Sequence, residues 1–208
     1  MRGCCLGLLL LIALLAGLGF LAERALAAPD LGAAPGGTAH GGSEAVIAAA
    51  LAGDAGVQLV RGEHAVVVLS ERDLTVIAEA RNPSPVRYRN PTARVRKGDV
   101  VVAADTTVGP FGVTGVATFE LLFSDTPEAT RIGVTPVAYA VGQLGIPTVI
   151  GDRLVPNSSA TLNLTALFAS NPVLETLARS LDCLVVQSDG IHVGFHRPLT
   201  VPVSVSCA

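Results

Sequence analysis

The sequence predicts an α+β fold: a curled antiparallel sheet packed on short amphipathic helices, placed after an N-terminal membrane segment. Three observations carry this. Twenty of the first 27 residues are apolar, while the other 181 are about 46% apolar, an ordinary globular figure. Alternating and β-branched runs dominate between Val86 and Val141. Helical spacing recurs only in short stretches, none beyond about 12 residues. Over the whole 208-residue chain, 50% of residues are apolar and 15% are charged. Because the excess hydropathy lies at one end, a polytopic membrane protein is excluded. Recurrent Val, Leu and Ile exclude general disorder. The 181 residues suit one domain. The boundaries read as a membrane segment or signal over 1–27, a linker over 28–42 and an exported domain over 43–208.

Gly3 to Ala22 is a run of 20 residues without charge, preceded by Arg2 and followed by Glu23 and Arg24. A spanning helix needs roughly 20 apolar residues, and a signal peptide uses about 7–15. The length therefore favours a retained anchor. Ala25-Leu26-Ala27 nevertheless supplies a small-x-small cleavage pattern, and both readings export the domain. Arg2 favours an inside N-terminus. Cys4 and Cys5 read as membrane-buried thiols. In the exported part, Cys183 and Cys207 can form one disulfide or remain as two buried thiols.

Pro29 to Gly42 reads as a linker, rich in Gly, Ala and Pro. Ser43 then caps a short helix, Glu44 to Ala52, which Gly53-Asp54-Ala55-Gly56 stops. Val57 to Val60 and Ala65 to Leu69 read as strands. Ser70 caps the clearest helix, where Asp73 places charge in the first turn. Leu74, Ile77 and Ala78 form its buried stripe, Glu71, Asp73 and Glu79 its exposed face, and Asn82-Pro83 its end.

Strands follow at Val86 to Arg89, Arg94 to Lys97, Val100 to Thr107, Val113 to Phe123 and Arg131 to Val141. In the fourth, Val113, Ala117, Phe119, Leu121 and Phe123 share one face, as in a half-buried antiparallel strand. Gly109, Gly112 and Gly115 are read as a hairpin turn or bulge. Ile146 to Val155 is predicted as a short helix across the sheet. Ala160 to Thr165 is a strand with Leu162 and Leu164 inward, and Asn171-Pro172 starts a helix. Cys183 to Gln187 and Ile191 to His196 make a hairpin around Ser188-Asp189-Gly190. Val201 to Cys207 is an edge strand or extended arm.

Motif chemistry is sparse. The chain lacks a GxSxG elbow, HExxH, a P-loop and a dinucleotide fingerprint, so no enzyme activity and no cofactor are expected. His192 and His196 are four strand residues apart, roughly 13 Å at about 3.3 Å each. One zinc cannot take both at about 2.0–2.1 Å, and the two histidines are expected on a solvated face.

The domain has 12 basic and 16 acidic residues, a net of −4, which argues against nucleic acid as a partner. Yet Arg81, Arg87, Arg89, Arg94, Arg96 and Lys97 fall between Glu79 and Asp99 with no acid among them. Arg87 and Arg89 are placed on one strand, and Arg94 and Arg96 on the next, across an Asn90-Pro91-Thr92 turn. Like charges on one ribbon repel, and phospholipid headgroups would relieve them, since Arg pairs bidentately with phosphate. The alternative is a solvated basic ribbon.

The stretch Val66-Val67-Val68-Leu69-Ser70-Glu71-Arg72-Asp73-Leu74 resembles the strand-to-helix entry of the bacterial YpmS-like membrane proteins. Ile132 to Pro147 is similar to their strand leading to a Gly-x-Leu-x-x-Pro turn. Ala160 to Leu164 and the hairpin through Gly190 are similar too, and the LmeA-like envelope proteins are a looser match. The resemblance covers about residues 57–197. It implies the TULIP-like fold, a curled sheet wrapped on a long helix with an apolar groove, and lipid binding or transfer in the envelope. The short helices depart from that pattern.

Residue patterning points the same way, because a twisted sheet covered on one side by helices offers a concave apolar surface. The expected groove is Phe119, Leu121, Phe123, Leu144, Ile146, Ile150 and Phe168, with Arg87, Arg89, Arg94 and Arg96 on headgroups. The expected partner is a membrane phospholipid or another apolar ligand. The alternative is a non-catalytic structural or adaptor domain that binds an envelope protein through an edge strand.

Overall fold

The computed structural model describes residues 2–82, 84–96, 98–126, 129–155, 159–167, 172–197 and 207. The chain runs α1 (Arg2–Leu26), α2 (Glu44–Arg61), β1 (His64–Leu69), α3 (Glu71–Ala80), β2 (Arg89–Arg96), β3 (Asp99–Val108), β4 (Phe111–Asp125) and β5 (Thr130–Val141). It continues as β6 (Leu144–Ile146), α4 (Thr148–Leu154), β7 (Ala160–Asn163), α5 (Leu164–Leu167), α6 (Pro172–Arg179), β8 (Leu181–Gln187) and β9 (Gly190–His196). This is an α+β fold whose described strand pairs are all antiparallel. One sheet has the order β1-β9-β8. The larger has the order β2-β3-β4-β5-β6, with β7 also on β5.

The first correction concerns α2. A helix ending at Ala52 and a strand over Val57–Val60 were expected, but one helix of 18 residues runs through both. Two interior glycines, Gly53 and Gly56, cost about 1 kcal/mol each relative to Ala. Packing offsets them: Ala55 is buried against Ala65 and Val67 of β1. The Gln58 side chain also accepts from Val66 N and donates to Val66 O, both at 3.0 Å. The helix thereby closes the outer edge of β1, and the expected ceiling on helix length does not hold.

A second correction concerns α3. Ser70 caps it as expected and forms a capping box with Asp73. Glu71 and Asp73, however, are buried rather than solvated. Glu71 Oε1 accepts from Val95 N of β2 at 2.7 Å. Thr75 Oγ1 accepts from Ala93 N at 3.0 Å. The helix thus lies along the open edge of the larger sheet and takes up its amides.

The basic ribbon also differs from expectation. Residues 84–88 form a turn, and β2 is a single strand with a bulge between Arg89 and Thr92. Asn90, at φ 49°, takes the left-handed conformation there. Arg89 faces Asp105, Thr92 faces Ala103 and Arg94 faces Val101. The bulge therefore brings Arg89 onto the same face as Arg94 and Arg96.

Opposed residues of an antiparallel pair share a face, so the register separates the two faces of the larger sheet. One carries Val95, Val100, Phe119 and Pro136, then Ala117, Tyr139 and Ile146. The β8–β9 hairpin covers its first half: Val186 and Ile191 pack with Val95 and Val100, joined by Leu74, Val102, Leu121, Leu184 and Val193. Helix α4 covers part of the second half, and Tyr139 donates to Asp152 Oδ1 at 2.8 Å. Gly151 lies so close to the Tyr139 ring that a Cβ would clash with it. Strand β5 bulges where Thr118 and Phe119 face Ala138 and Pro136, which accommodates a residue with no N–H.

The strand expected over Ala160–Thr165 ends at Asn163, and Leu162 is exposed rather than inward. Asn171, expected as a cap, and Val201 to Ser206, expected as an arm, lie outside the described residues. Cys207 is described, and it is bonded to Cys183.

The Gly/Ala/Pro segment before α2 is a strap rather than a free coil. Gly36 N donates to Glu71 Oε2 at 2.6 Å, and His40 N to Asp73 Oδ1 at 2.8 Å. Arg94 and Arg96 donate to the carbonyls of Ala33 and Asp30. The strap thus lies along the second face of the larger sheet, where Val101 and Ala103 are buried.

Glu71 holds two backbone amides, one on the sheet and one on the strap. Glu71→Ala is expected to cost about 3 kcal/mol, since each buried donor left unpaired costs about 1–3 kcal/mol. Thr75→Val should cost about half as much. A urea titration followed by circular dichroism reads both, and equal small losses would contradict the edge-closing role.

Candidate functional site

The most distinctive region lies at one end of the larger sheet. There the β5–β6 turn meets the end of α1. Gly142 N donates to Thr114 O at 2.8 Å, and Gln143 N to Arg24 O at 2.8 Å. Arg24 Nη1 donates to Gln143 Oε1 at 3.0 Å, and Gln143 Nε2 to Ala28 O at 3.1 Å. Gly142 has φ 57°, and a Cβ there would collide with the carbonyl oxygens of Ala25 and Ala27. Only glycine permits both the conformation and the approach.

From that mount α1 is exposed. Leu18 and Phe20 are both 56% exposed, as are Leu14, Leu15 and Leu21 in similar measure. The Arg24 guanidinium lies 5.4 Å from the centroid of the Phe20 ring. The side chains of α1 are described from Ala13 onward. Among the residues so described, no helix is long and apolar enough to cross a membrane.

Two open clefts lie at this end, on the strap side of the sheet. One, about 290 Å³, is lined by Ala28, Pro29, Leu31, Asn90, Ala103 and Asp105 among others. The other, about 330 Å³, includes Leu26, Arg89, Thr106, Gly112 and Val113. The β3–β4 hairpin turns just beyond them, with Gly109 at φ 59°, as the glycine spacing suggested. Val108 and Phe111 at its tip are 60% and 56% exposed.

The expected groove residues lie on the other face. Phe119, Leu121 and Phe123 share it with Leu144 and Ile146, and all five are half-buried. Leu121 packs into the closed cluster with Val95 and Val100, so side chains fill the space at that position. Ile150, on α4, is 51% exposed. Phe168 lies outside the described residues.

The four arginines divide into two pairs. Arg94 and Arg96 spend donors on the strap carbonyls. Arg87 and Arg89 are exposed, and Arg87 lies over the Tyr88 ring, 5.4 Å from its centroid. Residue spacing separated these pairs by position but carried no sign of the strap. It also missed Arg24, Gly142, Gln143, Val108 and Phe111, whose proximity comes from strand register.

Buried Ser70 and Asp73 form a polar cluster with the half-buried His40. His40 Nδ1 donates to Asp73 Oδ2 at 2.7 Å. Ser70 Oγ lies 2.7 Å from the same oxygen and accepts from Asp73 N at 3.2 Å. The order differs from a nucleophile relay, because serine meets the carboxylate and not the imidazole. The trio pins the strap to α3. Burial alone would raise the Asp73 pKa, but hydrogen bonds from His40 and Ser70 outweigh it and hold the carboxyl below its ordinary 3.8.

His192 and His196 do not lie open to solvent as expected. Their side chains are 16% and 14% exposed, paired with Asp189 and Asp182 at 2.9 and 2.7 Å. Asp182 Oδ2 is buried without a hydrogen-bond partner among the described residues. No group of three metal-ligating side chains forms among the described residues.

A carboxyl whose pKa is lowered on folding stabilises the fold above its unfolded value, and that contribution fades as pH falls through the folded value. Unfolding free energy is therefore expected to drop below about pH 4. Asp73→Asn should flatten that slope while lowering stability at pH 7 by about 2 kcal/mol. Urea titrations from pH 7 down to pH 2 measure both, and an unchanged slope would remove Asp73 from the account.

Compared with family models, curated proteins and solved structures, the chain matches none.

Proposed function

We propose that this chain is an extracytoplasmic lipid-binding or lipid-transfer domain, held at a membrane by α1. The observation that carries the reading is the exposure of apolar side chains on α1, which stands off a sheet end that grips its last turn. Leu14, Leu15, Leu18, Phe20 and Leu21 together make an apolar surface that water does not favour. The uncharged run from Gly3 to Ala22 has the length of a membrane segment. Arg24 and Ala25 both lie before the Ala27 cleavage pattern and both contact the domain, which supports a retained anchor over a cleaved signal.

The ligand surface is the apolar face of the larger sheet, between Phe119, Phe123, Leu144 and Ile146, with α4 and its exposed Ile150 at the border. Strands β4 and β5 are 15 and 12 residues long and pair from Gly115 opposite Val141 to Asp125 opposite Thr130, a length that suits the platform the TULIP-like reading requires. The YpmS-like resemblance supports the same reading. Arg87 and Arg89 are exposed, and Arg89 lies on the strap face, so the headgroups they would meet are those of the membrane surface rather than of a ligand in the groove.

Packing of Leu121 into the closed cluster favours a second reading, the structural or adaptor domain with an envelope protein as partner. Native mass spectrometry separates the two. Full-length chain extracted in gentle detergent is expected to carry phospholipid adducts. Ile150→Glu, at an exposed position, should reduce them about tenfold, since burying an isoleucine contributes about 1.5–3 kcal/mol. A clean apo mass would favour the adaptor.

A further inference from the structure

The β3–β4 hairpin tip has no role in the reading above. From Thr106 to Phe119 the sequence carries no charge. At the turn, Val108 and Phe111 flank Gly109-Pro110 and present apolar side chains to solvent. The position of the tip gives this meaning. Gly142 N donates to Thr114 O, so the turn that grips α1 is level with Thr114. Phe111 lies three residues further on, about 10 Å along the strand. Leu26 shares a cleft with Gly112 and Val113. The uncharged run of α1 ends at Ala22, four residues before Leu26, or about 6 Å along a helix.

We propose that the tip Val108-Gly109-Pro110-Phe111 seats in the headgroup boundary of the same bilayer that α1 enters, as a second, shallow contact. This rests on the anchoring role of α1. A bilayer that takes up the helix as far as Ala22 has its surface about 6 Å along the helix from Leu26, and the tip stands beside Leu26. Charge is complementary to phospholipid phosphate, because Arg89 lines the cleft behind the tip, Arg87 precedes it in the turn before β2, and Arg24 lies in the last turn of α1. Glu23 lies on α1, and Asp105 lines the cleft. Asp105 is occupied by Asn90 and Thr114, which donate to it at 3.1 and 2.9 Å.

The chain has no tryptophan, so single-tryptophan variants report one position each. Full-length Phe111→Trp and Leu18→Trp are reconstituted separately into vesicles of phosphatidylethanolamine and phosphatidylglycerol containing brominated lipids. Both emissions are expected to shift to the blue. Lipid brominated near the headgroup should quench Phe111→Trp most, and deeply brominated lipid should quench Leu18→Trp most. Adding Arg89→Glu should weaken the first and spare the second. If Leu18→Trp is quenched while Phe111→Trp stays solvent-like, the tip contact is overturned and the anchor stands. If neither is quenched, the anchor reading fails and the tip contact falls with it.

Discussion

Among the described residues both sheets end in a strand with no neighbouring strand on its outer side, and in both cases helix side chains take the unpaired backbone groups. On β1 the Gln58 amide of α2 meets the N–H and C=O of Val66. On β2 the Thr75 hydroxyl and the Glu71 carboxylate of α3 meet the N–H groups of Ala93 and Val95. Buried backbone groups left unpaired cost more than the bonds that replace them contribute. These contacts therefore fix where α2 and α3 sit and close two edges that would otherwise pair with other chains. Glu71 also receives the strap through Gly36, and Asp73 receives it through His40. The start of α3 thus organises the sheet edge, the strap and, through the strap, the approach to α1.

The larger sheet separates two kinds of packing. Toward β2 and β3 its apolar face is closed by the β8–β9 hairpin around Val95, Val100, Val186 and Ile191. Toward β5 and β6 helix α4 covers part of it, and Ile150 and Val149 are left exposed. The opposite face is covered by backbone, since a strap of small residues can lie close to Val101 and Ala103. Arginine supplies the clamp there, spending guanidinium donors on carbonyl groups. The basic ribbon therefore divides: Arg94 and Arg96 hold the strap, and Arg87 and Arg89 are left exposed.

Local patterns made several elements legible. The Ser70 cap, the β8–β9 hairpin, the alternation in β4 and the helix after Pro147 follow from signals within a few residues. The length of α2 did not, because glycine spacing predicts a stop and only packing against β1 overrides it. The burial of Glu71 and Asp73 was hidden for a similar reason: on a helical wheel they border the stripe of Leu74, Ile77 and Ala78 on either side, and only the strap and the edge of β2 turn those borders into an interior. The single strand β2 was hidden by Asn90-Pro91, which marks a turn in most contexts and is absorbed here by a bulge. Of the candidate site, the apolar residues on β4 were visible from alternation, whereas Leu144 and Ile146 form a short strand where a helix starting at Ile146 was expected. The joint between α1 and the β5–β6 turn was not, since Arg24 and Gln143 are 119 residues apart.

Gly142 has a consequence for how the domain is carried. A flexible leash lets its cargo sweep a hemisphere and turn any side to a surface. Here the last turn of α1 is seated on Gly142 and Gln143, and the strap that follows is stitched along the sheet. Under the proposed anchoring, the domain is mounted like a bracket, with one attitude toward the bilayer. Its apolar face would then address only the leaflet on which it stands. Exchange of an apolar molecule with a distant acceptor would require the acceptor to come to it.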